Sequence, residues 1–292
     1  MPGEQLFHQG ESADSLYVIE SGLLESAVRL PAERELSLAP IGAGEVIGEL
    51  ALLGGGSRSA TVRAVEPTTG VVIERRAFDS LRASMRPSAR AVMRSLYGVV
   101  CERLRHRYAA IAEQLGAAEG PTPRRPHLPQ ARPVTTADRH FGSQLPFFRA
   151  FLAAELDEVL DQSGRLELAR GDLLACAGNP LDAYYLTLRG AVEATIQRGE
   201  RKQRVRLAGP GASPAYLGLI DDFPSPVECR ARERAVILPL PRARFRELVE
   251  GDDPLAHRFL DAVHQDIVRA LRSAERRQAT LISARAARPA SR

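Results

Sequence analysis

From residue 5 to residue 74 apolar and polar positions alternate in short runs: Leu16-Tyr17-Val18-Ile19, 23–28, 36–41 and Val71-Val72-Ile73. Glycines at 10, 22, 42, 44, 48, 54, 55, 56 and 70 separate them. Many short alternating runs with regular turn residues predict the strands of a barrel or jelly roll. From Arg76 the period changes. Met93, Leu96, Val100, Leu104, Tyr108, Ile111 and Leu115 recur at three- and four-residue steps. That stripe predicts an amphipathic helix over 88–115, which Pro87 and Ser88 can open and Gly116 can close. Between 116 and 142 the apolar period vanishes and prolines recur, the composition of an extended linker. Beyond it a helix-like run at 147–160, a set of strands and a long helix over about 253–282 follow in the same order as before.

That recurrence is a repeat at the level of residues. Sliding the chain by 168 sets Gly3, Leu6, Gly10, Asp14, Tyr17, Gly22 and Glu25 on Gly171, Leu174, Gly178, Asp182, Tyr185, Gly190 and Glu193. With the shift reduced by one, Leu50-Ala51-Leu52-Leu53 falls on Leu217-Gly218-Leu219-Ile220, and Arg63-Ala64 on Arg230-Ala231. A fixed-period self-similarity of this kind decides the architecture. The expected fold is therefore mainly β with α: two jelly-roll β-barrel modules, each followed by a long helix. The expected boundaries are 1–115, a linker at 116–142, a second module at 143–282 and a basic tail at 283–292.

Composition narrows the setting. The 292 residues are 44% hydrophobic, enough for two cores, and no stretch approaches the ~20 apolar residues that span a bilayer. The first residues carry neither a basic start nor an apolar signal core, so a soluble, cytoplasmic protein with no membrane partner is expected. A net charge of +4 is spread along the chain, with Lys202 the single lysine, and makes no argument for nucleic acid. Cys101, Cys176 and Cys229 are far apart and form no C-x-x-C pair. With six scattered histidines, they point to neither a disulfide scaffold nor a metal site.

The run that carries chemistry is Gly48-Glu49-Leu50-Ala51-Leu52-Leu53-Gly54-Gly55-Gly56-Ser57-Arg58-Ser59-Ala60-Thr61-Val62. A glycine-rich turn offers backbone N–H groups to a phosphate, and the arginine offers a forked cation. A carboxylate nearby can accept from a sugar hydroxyl. The bland alternative for Glu49 and Arg58 is a plain ion pair at a surface loop. The whole run, however, resembles the phosphate-binding cassette of the cyclic nucleotide-binding domain family, shared by kinase regulatory subunits, gated channels and bacterial catabolite activators. That family's pattern of G-E-L-A, a short loop and R-[SAT]-A stands complete from Gly48 to Ala60. G-E-x-L-F-x-Q-G at 3–10 and Y-V-I-x-S-G at 17–22 match as well.

The resemblance implies that Glu49 binds the ribose 2′-hydroxyl and Arg58 the cyclic phosphate. Gly48, Leu50, Ala51, Ser59 and Ala60 would line the cassette, with the Ser59 hydroxyl a further donor. Val46, Ile47 and Val62 suit either base contact or core. Ser59, following the arginine, leans the choice towards cyclic AMP, with cyclic GMP the alternative. In the second copy Glu49 becomes Tyr216, Arg58 becomes Ser225, and the glycine-rich loop becomes Asp221-Asp222-Phe223-Pro224. Repulsion between a phosphate and such carboxylates costs on the order of 1 kcal/mol or more, so the second copy is expected to be degenerate. The second copy also has a helix and a strand at 145–170 with no counterpart before Gly3, so the functional module is expected to begin upstream of Met1.

These features together suggest a non-enzymatic cyclic nucleotide sensor without a cofactor, signalling through its 88–115 helix to an effector protein or a homodimer partner. A catabolite-activator-type regulator would need a helix-turn-helix where the Pro-rich segment and second module stand, so DNA is an unlikely partner. A structural pair of barrels that binds no nucleotide is the third reading. No nucleophile or acid–base constellation suggests an enzyme. Arg276-Arg277-Gln278-Ala279 has the form of a kinase pseudosubstrate but reads more simply as part of a helix.

Overall fold

The computed structural model describes the chain except residues 30–34, 39, 85, 121, 123–124, 221–222 and 287–292. The first half runs β1 (Gln5–Phe7), β2 (Ser15–Ser21), β3 (Leu24–Arg29), β4 (Glu35–Ser37), β5 (Val46–Ile47), α1 (Glu49–Gly54), β6 (Thr61–Ala64), β7 (Thr69–Glu74), α2 (Arg75–Ala83) and α3 (Pro87–Leu115). It continues through α4 (Thr136–Gly142), a 3-10 turn at Pro146–Phe148 and α5 (Ala153–Asp161). The second half is β8 (Leu166–Leu168), β9 (Leu173–Ala175), β10 (Ala183–Arg189), β11 (Val192–Arg198), β12 (Arg201–Ala208), α6 (Leu217–Ile220), β13 (Glu228–Ala231), β14 (Ala235–Pro241), α7 (Arg242–Glu250) and α8 (Pro254–Ala286). The strands form two sandwiches, as the repeat required. One stacks β1-β6-β3-β4 on β5-β2-β7, the other β12-β11-β13-β9 on β10-β14-β8.

The repeat extends to individual hydrogen bonds. Gly3 N donates to Ala64 O and Gly171 N to Ala231 O; Gly44 N donates to Ile19 O and Gly211 N to Thr187 O. Arg75 N donates to Asp14 O and Arg242 N to Asp182 O. The change of shift from 168 to 167 therefore falls between Ile19 and Gly44. The turn after β2 explains one shared glycine. Gly22 and Gly190 have φ of +90° and +76°, and a Cβ there would lie 2.3 Å from Pro67 O and 2.4 Å from Arg234 O respectively. Only glycine suits that combination of left-handed backbone and close approach.

The chain divides into two compact units, residues 1–100 with 275–292, and residues 101–274. In the first, Phe7, Ile19, Leu24, Ile41, Ile47, Val62 and Ala64 form the sandwich core. In the second the core is aromatic: the Tyr184 ring lies 6.0 Å from Phe147, 5.1 Å from Phe245 and 6.0 Å from Phe259. The seven stripe residues of α3, Met93 to Leu115, are all buried. All three cysteines are buried and unbridged, and no helix among the described residues is long and apolar enough to cross a membrane.

Three local expectations need correction. The 116–142 segment is not extended throughout, because α4 occupies its end. Thr135 Oγ1 accepts from Asp138 N, and the Asp138 carboxylate accepts from Thr135 N, a reciprocal cap that periodicity alone does not reveal. The helix-like run from 147 is broken: Pro146 opens a 3-10 turn, and the helix restarts at Ala153, where Glu155 Oε2 accepts from Leu152 N at 2.8 Å. Finally, α8 takes residues 283–286 from the expected tail, and Arg276 to Ala279 lie inside it. The remainder of the tail and Asp221-Asp222 lie outside the described residues.

Candidate functional site

In the first unit β5 leads into Gly48, whose φ of +88° turns the chain into α1. A Cβ at Gly48 would lie 2.5 Å from Arg58 Nη1 and 3.1 Å from Ser15 O. The glycine is thus required twice, for its backbone angle and for the guanidinium packed against it. Glu49, the first residue of α1, is wholly buried, as are Leu50 and Ala51. After the Gly54 to Ser57 turn, the chain is pinned at Arg58: its N donates to Glu11 O at 2.9 Å and its O accepts from Gly10 N at 3.0 Å.

The Arg58 side chain turns inward and is 3% exposed. Its Nη1 donates to Ser15 O at 2.6 Å and Gly48 O at 3.4 Å. Its Nη2 donates to Ser15 Oγ at 3.2 Å and Asp14 Oδ1 at 3.3 Å. The guanidinium carbon sits 4.2 Å from the centre of the Phe7 ring and 5.9 Å from that of Tyr17. Buried Nε has no hydrogen-bond partner. Burial draws the Arg58 pKa below its ordinary value, opposed by Tyr17 and Asp14. Asp14 itself is held below the usual carboxylate range by the Ser15 hydroxyl, with Arg58 contributing. Its side chain is 86% exposed, so this buried cation meets mainly neutral oxygens and ring faces.

The cassette residues are thus brought together: Gly48, Glu49, Leu50 and Ala51 at the start of α1, Arg58 beside Gly48, then half-buried Ser59 and buried Ala60 leading into β6. Of the candidates for base contact, Ile47 and Val62 are buried, with Val62 at 0% exposure, and both belong to the sandwich core. Sequence reading missed Phe7, Asp14, Ser15 and Tyr17 as the groups that grip Arg58. A signal was present for two of them, since Asp14 and Tyr17 recur at Asp182 and Tyr185.

Segment 13–15 also reaches the helices. Arg75, the first residue of α2, donates from Nη2 to Ala13 O at 2.6 Å, from Nε to the same oxygen at 3.1 Å, and from its main-chain N to Asp14 O at 2.6 Å. One short loop therefore holds both Arg58 and the start of α2.

The second unit keeps the frame and changes the content. Gly178 N donates to Ser225 O at 2.8 Å and Ser225 N to Asn179 O at 2.7 Å. These bonds reproduce the clamp at Arg58, so Ser225 stands at the arginine's place and Tyr216 at that of Glu49. Ser225 Oγ donates to Val227 O at 3.0 Å. Tyr216, 1% exposed, lies 6.4 Å from the Tyr184 ring and donates its hydroxyl to Asp266 O at 3.3 Å. The Asp266 carboxylate accepts from Arg206 Nη2 at 2.6 Å and from Ser213 N at 2.9 Å. A fully paired carboxylate from α8 thus joins an aromatic stack around Tyr216.

A sandwich with a Gly-Glu…Arg cassette defines a class of small-ligand module, and the comparisons with known proteins name it. The family model for the cyclic nucleotide-binding domain matches residues 1–85 and 165–252, and the chain belongs to that family. An uncharacterized protein of Mycobacterium tuberculosis is 44% identical over 106 residues, 36% of this chain and 19% of its own length. A cAMP-dependent protein kinase regulatory subunit of Emericella nidulans is 24% identical over 253 residues, 84% of this chain and 50% of its own. The solved regulatory domain of Toxoplasma gondii PKA with cAMP is similar at 20% identity and a TM-score of 0.36, over 86% of this chain and 79% of that one. The chain spans only 19% to 50% of the length of these two curated relatives. It carries tandem cyclic nucleotide-binding domains, as regulatory subunits do.

Proposed function

We propose that the protein is a non-enzymatic cyclic nucleotide sensor that takes cyclic AMP in its first sandwich. The observation that carries this reading is the buried Arg58 guanidinium, held by the Ser15 and Gly48 carbonyls beside the wholly buried Glu49. A cyclic phosphate offers two anionic oxygens to a fork that now rests largely on neutral ones, so bonds between opposite charges replace bonds from a cation to carbonyl dipoles. Glu49 accepts from the 2′-hydroxyl, and Ser59 adds a donor on the phosphate side.

Signalling follows from the shared loop. As Arg58 leaves Ser15 for the phosphate, segment 13–15 is freed to move, and Arg75 transmits that movement to α2 and on to α3. The second sandwich, with Tyr216 and Ser225 at the places of Glu49 and Arg58, serves as a structural and effector-facing module.

Titration calorimetry of the full chain tests this. The expected stoichiometry is near one cyclic AMP per chain, with cyclic GMP weaker. Arg58→Ala is expected to cost ~2–4 kcal/mol, roughly thirty- to several-hundredfold in affinity. Two sites per chain, or normal binding by Arg58→Ala, would falsify the assignment.

A further inference from the structure

The second half of α3 lines a cavity of the second unit that the cassette does not account for. Arg105, Tyr108, Ala109 and Ala112 stand at i, i+3, i+4 and i+7, one face of the helix. Other walls are Ile196, Gln197 and Arg198 at the end of β11, with Gly178 and Ser225 of the main-chain clamp. The space is about 500 Å³, the size of a small-molecule site. It is not the place of the cassette, since neither Tyr216 nor any residue of α6 lines it.

The lining is positive. Arg105 and Arg198 stand against a single carboxylate, Glu119, which is exposed and screened by water. Arg105 pairs with Glu102 on its own helix, and its guanidinium carbon lies 5.5 Å from the centre of the Phe223 ring. Arg198 has no carboxylate within ion-pair reach among the described residues. The neighbouring chain is fitted to it: Gly199 N donates to Glu119 O at 2.9 Å, and a Cβ on Gly120 would lie 2.9 Å from Arg198 Nη1. The glycine leaves that space to the guanidinium. Much of the remaining wall is apolar, with Ile196, Ala112 and the Tyr108 ring buried and Pro226 half-buried.

We propose that this cavity is a second ligand site, separate from the cyclic nucleotide site, and that it takes a phosphomonoester with an aromatic body. Above its second pKa of about 6 a phosphomonoester carries two negative charges, whereas a cyclic phosphodiester carries one. Two guanidinium forks suit the doubly charged group, each offering paired N–H donors to its oxygens. The ring beyond the phosphate rests on Ile196, Ala112 and Pro226 beside Tyr108, burying apolar surface that inorganic phosphate lacks. Arg105 comes from α3 and Arg198 from the β11–β12 hairpin, so a phosphate held by both ties the helix to the sheet. This inference goes beyond the cyclic nucleotide reading and does not depend on it.

Titration calorimetry of the full chain with phenyl phosphate tests it. The expected result is saturation near one per chain, unchanged by excess cyclic AMP. Inorganic phosphate, which has no ring, and benzoate, which brings one charge, are each expected to bind at least about tenfold more weakly. Phenyl phosphate is expected to lose at least about tenfold on the Arg198→Gln chain. Arg198 is half-buried beside a hairpin turn, so that variant is expected to keep its circular dichroism. Should it unfold, Arg105→Gln serves the same purpose, and the inorganic phosphate and benzoate titrations need no variant. No saturation by ~1 mM phenyl phosphate, equal binding of inorganic phosphate or benzoate, or displacement by cyclic AMP overturns the proposal. So does undiminished binding to a folded Arg198→Gln or Arg105→Gln chain.

Discussion

Ser225 and Arg58 sit in the same backbone clamp, yet one is a small buried hydroxyl and the other a buried cation on mostly neutral oxygens. Around Ser225 the second unit is filled by side chains: Tyr216 stacks on Tyr184, and Asp266 is paired with Arg206. The difference teaches that a fold can keep its turn glycines and main-chain bonds while the side chains they position change from a charged group to a small hydroxyl and an aromatic ring. A cation buried mainly against neutral oxygens and ring faces is costly to hold.

The largest effect that could break this comparison is expected at Asp266. Replacing it with alanine leaves the buried Arg206 uncompensated, at an expected ~3–5 kcal/mol, read as a lower urea midpoint for the second unit. A joint change of Arg206 and Asp266 to methionine and leucine is expected to recover most of that loss. A neutral Asp266→Ala would mean that the pair does not hold the filled site. Gly48→Ala comes next. It forces an L side chain into left-handed backbone and against Arg58 Nη1, an expected ~2 kcal/mol of stability together with weaker nucleotide binding. The position lies outside the second unit, whose unfolding is expected to be unchanged.

Arg75→Gln sharpens the signalling half of the comparison. Losing the charged fork on Ala13 O is expected to cost ~1–2 kcal/mol. Nucleotide affinity should change little, while any ligand-induced change in protease sensitivity of α2 should disappear. Loss of affinity as large as in Arg58→Ala would place Arg75 in the binding site instead.

The smallest effect concerns α4 of the second unit. Thr135→Ala removes the cap of α4, an expected ~1 kcal/mol in thermal unfolding. Burial alone would raise the Asp138 carboxyl, but Thr135, Arg165 and Arg189 outweigh it and hold the group below its usual value. A lowered folded pKa means that its stabilising contribution is complete above the unfolded value near 4 and is lost as pH falls through the folded one. The Thr135→Ala variant should therefore lose less stability than the parent on acidification through that range.

The sequence by itself determined the repeat, the order of elements, and the cassette from Gly48 to Ala60. Each of these is local: strand and helix periods are written in neighbouring residues, and glycines such as Gly22 and Gly190 are demanded by backbone angles that no other residue adopts cheaply. It was less able to place α4 and the break before α5, which rest on single side-chain caps rather than on a period. What only the tertiary structure decided is what the key side chains touch. Arg58 turns onto Ser15, 43 residues away, and Tyr216 reaches Asp266, 50 residues away. Such contacts join segments far apart in the chain, and their energies depend on burial and on the neighbours that packing supplies. A motif can therefore name the residues of a site in advance, while folding sets whether they face a partner, a ligand or one another.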